Sequence, residues 1–229
     1  MNTPATNPRQ PVPKSPLSLQ ARRAEFLPYL SQRPGFERRS EAGIDFFRLS
    51  FDNFYTRVFE IGSSPEEINR RLNSLPLDWL KDPVLFLGTA GALTDRLKIY
   101  SLFLAEKIIG GKVNSPLRIN NEAVIHRDCL QKFTPDFNAA TLFTSSTPLL
   151  EREKRRQAQQ EQQAQAVDLE AAHLCIALRN RQPEISFGCL KIISDKLDDS
   201  QYSTVLAQQK PALKKMWDFI LNSPELFRH

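Results

Sequence analysis

The sequence predicts an all-α protein: an irregular helical bundle of two helical subdomains joined by a long polar, Gln-rich helix. Three observations carry that expectation. Glycine is scarce, eight in 229 residues, which disfavours a fold of many tight hairpins or glycine-dependent cofactor loops. Apolar residues recur at three- and four-residue spacing in several windows. Some of these windows open on a hydroxyl or acidic residue followed by proline, the pattern of a capped helix start.

Taken in order, residues 1–16 hold five prolines and little that is apolar, so they read as a disordered Pro-rich tail. Within it PRQPVPKSP offers a polyproline segment with a flanking arginine. An N-terminal helical domain over 17–145 follows. Its first helix is expected over 17–30, capped by Ser15 with Pro16 at the first helical position. Ile44, Phe47, Phe51, Phe54, Tyr55 and Val58 then predict a helix with an aromatic buried face, stopped at Gly62. Phe47, Leu49 and Phe51 alone also fit a strand, but the whole run is too long for one. In SSPEEINRRLNSL, Ser64 caps, Pro65 takes the position that needs no N–H, and Glu67 answers as a capping box. Ile68, Leu72 and Leu75 face inward there, and Trp79 in the next connector is a core or interface anchor.

VLFLGTAGALTDRLKIY, residues 84–100, poses a choice between a phosphate-cradling strand, loop and helix and a single buried helix. Gly88 and Gly91 form only G-x-x-G, no acid follows about twenty residues later, and Gly110-Gly111-Lys112 is followed by Val113 where a hydroxyl should bind magnesium. The expectation is therefore a helix over 83–109, with Leu93, Leu97, Tyr100, Leu104 and Ile108 on one face. Gly88, Ala90, Gly91 and Ala92 would let a second helix approach it closely.

Asn120 or Asn121 caps a further expected helix up to Pro135. Thr147 and Pro148 open a long helix over 148–182, which Pro183 ends. Its middle, 151–165, has no apolar residue larger than alanine, so it reads as a solvent-spanning arm or a partly disordered linker. A C-terminal helical subdomain over 183–229 completes the chain. Ile185, Cys189, Ile192 and Ile193 suggest a helix there, with a strand as the alternative for ISFGCLKIIS. A short helix over 202–207 and a last one through Leu213, Met216, Trp217 and Ile220 follow.

Chemistry-bearing patterns fail when tested. HRDC at 126–129 and PDFN at 135–138 resemble protein-kinase motifs, but Phe133 stands where the asparagine should be and Asn138 where glycine should be. His126 and Cys129 share a helical face but lack two further zinc ligands, and His173, Cys175 and Cys189 complete no set. Nothing local activates any of the three cysteines, which read as reduced core thiols. No catalytic residue, cofactor or metal site is predicted.

The net charge is +5, and residues 1–43 carry seven basic against three acidic residues. The longest uncharged apolar stretch, 83–94, falls short of the roughly 20 residues needed to span a bilayer, so no membrane insertion is expected. No secretory signal is visible at the N-terminus, and the expected location is cytoplasmic.

The reading is a non-enzymatic helical adaptor or structural subunit of a multi-protein assembly. Its candidate partner-binding residues are Arg22, Arg23, Phe26, Arg38, Arg39, Trp79, Trp217, Leu226 and Phe227. Two alternatives stand beside it. NSPELFRH at the C-terminus resembles the signals read by bacterial type IV secretion systems, which implies a secretion-associated component or secreted effector. The arginines and aromatics of 22–39 suggest a nucleic-acid-binding accessory protein.

Overall fold

Residues 84–92 form a strand, not a helix, and that strand organises the molecule. A strand covered on both faces has no polar alternation to reveal it, and nearly every residue of VLFLGTAGA is buried. The computed structural model describes residues 17–20, 25–52, 54–112, 115–119, 138–196 and 202–224. Among them the strands are β1 (Leu17–Gln20), β2 (Phe36–Glu41), β3 (Ile44–Phe51), β4 (Phe54–Glu60), β5 (Val84–Ala92), β6 (Leu102–Lys112), β7 (Ser115–Ile119), β8 (Asn138–Ser145), β9 (Ala166–Asp168) and β10 (Phe187–Asp195). The helices are α1 (Leu27–Leu30), α2 (Pro65–Ser74), α3 (Arg152–Gln162), α4 (Ala171–Arg181) and α5 (Tyr202–Asn222).

Five strands close on themselves. β5 pairs in parallel with β10, β10 antiparallel with β6, β6 in parallel with β8, β8 in parallel with β9, and β9 antiparallel with β5. Closure leaves these five with few unpaired edges. From the first half of β5 the sheet continues outward through β1, β4, β3 and β2, while β7 adds to β6. The fold is thus α/β with mixed strand pairing, and the all-α bundle expected from sequence is overturned.

Side chains on β5 and β10 alternate between two apolar layers. Val84, Phe86, Phe187 and Cys189 pack with α2 and α4, including Leu72 and Cys175. Leu85, Leu87, Leu190 and Ile192 pack with α5 through Leu213, Met216, Trp217 and Ile220. This period of two is the pleat itself, and it lets one strand serve two cores.

Each corrected element has a local reason. The aromatic helix expected over 44–62 is the β3–β4 hairpin, with Phe47 opposite Val58 and Phe51 opposite Phe54. The Phe51 and Phe54 rings stack at 4.7 Å, a cross-strand contact that aromatic-rich sequence favours. The helix expected over 83–109 is β5 and β6, whose buried residues imitate helical spacing because both strand faces are covered. In place of a helix over 17–30 there are β1 and the single turn α1. Of the two readings of ISFGCLKIIS the structure takes the strand. The polar middle of 148–182 is helical over α3 but is neither an arm nor a linker, because Arg155, Ala158 and Gln162 are buried. The two expected C-terminal helices are one, α5, which continues through Pro211. The helix predicted after Asn120 and the Pro-rich tail lie outside the described residues.

α2 forms as its capping sequence dictates: Ser64 Oγ accepts from the Glu67 N–H at 3.2 Å. The Ser63 N–H donates to Glu67 Oε2 at 3.4 Å. Among the described residues no helix is long and apolar enough to cross a membrane.

Candidate active site

The site arises where β5 changes neighbours. Along one edge, residues 84–87 pair with β1, while residues 91 and 92 pair with β9. β10 occupies the opposite edge throughout. Between the departing β1 and the arriving β9 the edge opens, and Gly88, Thr89, Ala90 and Gly91 line a cavity of about 140 Å³. Such switch points at strand ends are where α/β sheets place ligands.

Two glycines here lie close beneath charged side chains, Gly91 the more tightly. A Cβ on Gly88 would stand 3.0 Å from Lys191 Nζ, and one on Gly91 would stand 2.7 Å from Asp195 Oδ2. The small residues of GTAG thus make room for charged side chains of β10, not for a second helix.

Lys191 is 1 % exposed, and its ammonium lies 2.9 Å from Asp168 Oδ2 and 3.8 Å from the centroid of the Phe86 ring. Burial is the largest single influence and pulls its pKa down, but the negative charge and hydrogen bond of Asp168, with Glu170 and Cys189 nearby, together outweigh it and hold the pKa above the ordinary lysine value. Asp168 is itself secured at the end of β9. Its Oδ1 accepts from Thr144 Oγ1 at 2.7 Å and its Oδ2 from the Ala171 N–H at 3.1 Å. The Ala172 N–H donates to Thr144 Oγ1 at 2.9 Å, so two backbone N–H groups opening α4 end in this network.

Asp195, 3 % exposed, ends β10. Its Oδ1 accepts from Ser194 Oγ at 2.7 Å, and its Oδ2 meets Arg155 Nη2 of α3 at 2.5 Å. Glu170, 8 % exposed, enters from the start of α4, and Glu25 from the segment before α1. The Glu25 carbonyl accepts from Trp217 Nε1 at 2.9 Å, which fastens that wall to α5. Pro148, Leu149 and Leu150 supply an apolar wall, and Val205 and Gln209 of α5 complete the lining. Four carboxylates, those of Glu25, Asp168, Glu170 and Asp195, thus stand against two cations, Arg155 and Lys191. Among the described residues no group of three or more His, Cys, Asp or Glu could hold a metal ion.

Of the partner-binding residues expected from sequence, none that the structure describes lines this cavity, whereas Gly88, Ala90 and Gly91, expected to let a second helix approach, do line it. Phe26, Trp79 and Trp217 are 0 %, 3 % and 1 % exposed, so they are core and offer no docking surface. Arg38 and Arg39 are exposed on β2 and pair with Asp45 and Glu37. Arg22, Arg23, Leu226 and Phe227 lie outside the described residues, as do His126 and Cys129. Cys175 and Cys189 are free and buried, and burial raises both thiols above the ordinary cysteine value. The signals that were present were a single lysine inside the apolar run FGCLKIIS and the paired acids of VDLE. A charge in a buried strand demands a partner, and such groups gather at functional sites.

Comparison with known proteins agrees with this architecture. Futalosine hydrolase of Helicobacter pylori superposes with a TM-score of 0.76 at 19 % identity, over 93 % of this chain and 98 % of that one. A 5′-methylthioadenosine/S-adenosylhomocysteine nucleosidase from the same organism gives 0.77 at 18 % identity, over 94 % and 99 %. The corresponding nucleosidase of Campylobacter jejuni gives 0.72 at 15 % identity, over 92 % and 99 %. No curated protein matches the chain in sequence. The family model described as Phosphorylase superfamily matches residues 72–221. That match overturns the non-enzymatic adaptor reading, its protein-complex partners, and with them the secretion and nucleic-acid alternatives. It runs from α2 to the last turn of α5 and takes in the whole five-strand ring, and the chain belongs to the phosphorylase superfamily.

Proposed function

We propose that this protein is an enzyme that cleaves the N-glycosidic bond of a nucleoside, releasing the free base and passing the sugar to water. The observation that carries the reading is the convergence of Asp195, Glu170 and Glu25 from three different walls on one cavity at the switch point of β5. Breaking an N-glycosidic bond builds positive charge on the sugar and negative charge on the departing base. A cavity with four carboxylates against two cations favours the cationic sugar.

The apolar wall of Pro148, Leu149 and Leu150 suits the face of a flat base, and Asp195 beside it meets the base's polar edge. There its carboxyl group relays a proton from solvent to the departing ring nitrogen and is left as the carboxylate that Arg155 holds. Glu25 and Glu170 share the remaining tasks: holding the sugar hydroxyls and taking a proton from the attacking water. The Lys191–Asp168 pair does not react, but it fixes the start of α4 and so the position of Glu170. The solved relatives named above as nucleosidases and hydrolase lend this reading support through their shared fold. A cytoplasmic location goes with it and suits the two buried free thiols.

The test is to incubate the protein with 5′-methylthioadenosine, S-adenosylhomocysteine and a series of natural nucleosides, then quantify free base by chromatography. Base release that is lost in Asp195→Asn supports the proposal. No release from any of these nucleosides sinks it.

A further inference from the structure

α3 is built almost wholly of charged and amide residues, yet Arg155 on it is 2 % exposed. All three guanidinium nitrogens are engaged. Nε donates to the Leu149 carbonyl at 2.5 Å, Nη1 to the Lys196 carbonyl, and Nη2 to Asp195 Oδ2 at 2.5 Å. The other carboxylate oxygen takes the Ser194 hydroxyl, and Gly91 leaves the space in which Oδ2 sits. Asp195 is therefore seated on three sides. Arg155 also ties that seat to the segment carrying the cavity's apolar wall.

A buried ion pair contributes little net stability, because desolvating both charges offsets their attraction. The arrangement instead restricts geometry: a planar fork sets both the distance and the plane of a carboxylate, which a lysine cannot do. We propose that Arg155 is the positioning residue of this site, holding the Asp195 carboxylate in the orientation from which it meets the nucleobase. This rests on the assignment of Asp195 in the proposed function. Arg155 itself touches the substrate only through Asp195, and its hydrogen bonds join the wall at Leu149 to the end of β10.

The experiment is a double-mutant cycle on 5′-methylthioadenosine cleavage with the wild type, Arg155→Lys, Asp195→Asn and the double variant, joined by a crystal structure of Arg155→Lys. Lysine keeps the charge, so the fold should be retained, which thermal melting checks. The expected result is a fall in kcat of about a hundredfold for Arg155→Lys, the scale of a misplaced catalytic group. KM should change far less. In the Asp195→Asn background the same substitution should cause no further loss. In the crystal structure, the Asp195 carboxylate should leave its place over Gly91. Equal losses in both backgrounds overturn the proposal, and so does an Asp195 that stays in place. If the wild type releases no base but Asp195 moves in Arg155→Lys, the positioning role stands and the proposed function falls.

Discussion

Lys191 Nζ and Asp168 Oδ2 lie 2.9 Å apart with both side chains 1 % exposed, in the lining of the cavity that the glycines of β5 open. Neither charge has water to return to, so each depends on the other.

Asp168→Asn leaves a buried ammonium without its counter-charge and should cost about 3–5 kcal/mol. For a chain of this length that lowers Tm by roughly 10 °C. Replacing both partners with Asp168→Asn and Lys191→Met should cost less than the single change, because no unpaired charge remains. Urea denaturation of the three proteins checks the order. A double variant less stable than Asp168→Asn would show that the pair does more than neutralise itself.

The same pair predicts the response to alkali. The Lys191 pKa is raised in the folded state, so its contribution is complete below the unfolded value of about 10.4 and is lost as pH rises through the higher folded value. Stability measured by denaturation should therefore begin to fall above about pH 10, and Lys191→Met should flatten that fall.

Gly91→Ala would place a Cβ 2.7 Å from Asp195 Oδ2. Arg155 and Ser194 prevent the carboxylate from stepping aside, so the strain falls on the proposed catalytic geometry. Base release should drop about a hundredfold. Steady-state kinetics together with a melting curve separates this from unfolding.

Both cations of the cavity are committed, Arg155 to Asp195 and Lys191 to Asp168, so an added phosphate dianion finds no unspent positive charge among the described lining residues. Base release should proceed at the same rate in phosphate-free buffer and in excess phosphate, and the sugar product should be unphosphorylated. Recovery of a sugar 1-phosphate would show a different acceptor.

Cys175 and Cys189 are both 0 % exposed, and burial raises both thiols. Neither should be alkylated in the native protein at neutral pH, and both should react on denaturation. Peptide mapping after iodoacetamide reads each site separately. Rapid native labelling of either would show that α4 or β10 opens readily.

What the sequence determined by itself was what nearest neighbours decide. Ser64, Pro65 and Glu67 specify the start of α2 because cap and capped N–H groups lie within one turn. Leu213, Met216, Trp217 and Ile220 mark the buried face of α5 because a helix closes its hydrogen bonds within four residues. Strands offer no such local closure. β5 finds its partners in β1, β9 and β10, and with both faces covered its residues carry no alternation to set it apart from a buried helix.

The site lay further still from the reach of local pattern. Arg155 reads as one charge among many in REKRRQAQQEQ until the fold brings Asp195, forty residues on, against its guanidinium. Glu25, the Asp168–Glu170 pair and Asp195 sit in three segments far apart in the chain, and only long-range strand pairing places them around one opening. Residue types and local caps are written in the chain. Which charges meet is settled by long-range strand pairing, whose free energy belongs to no single segment.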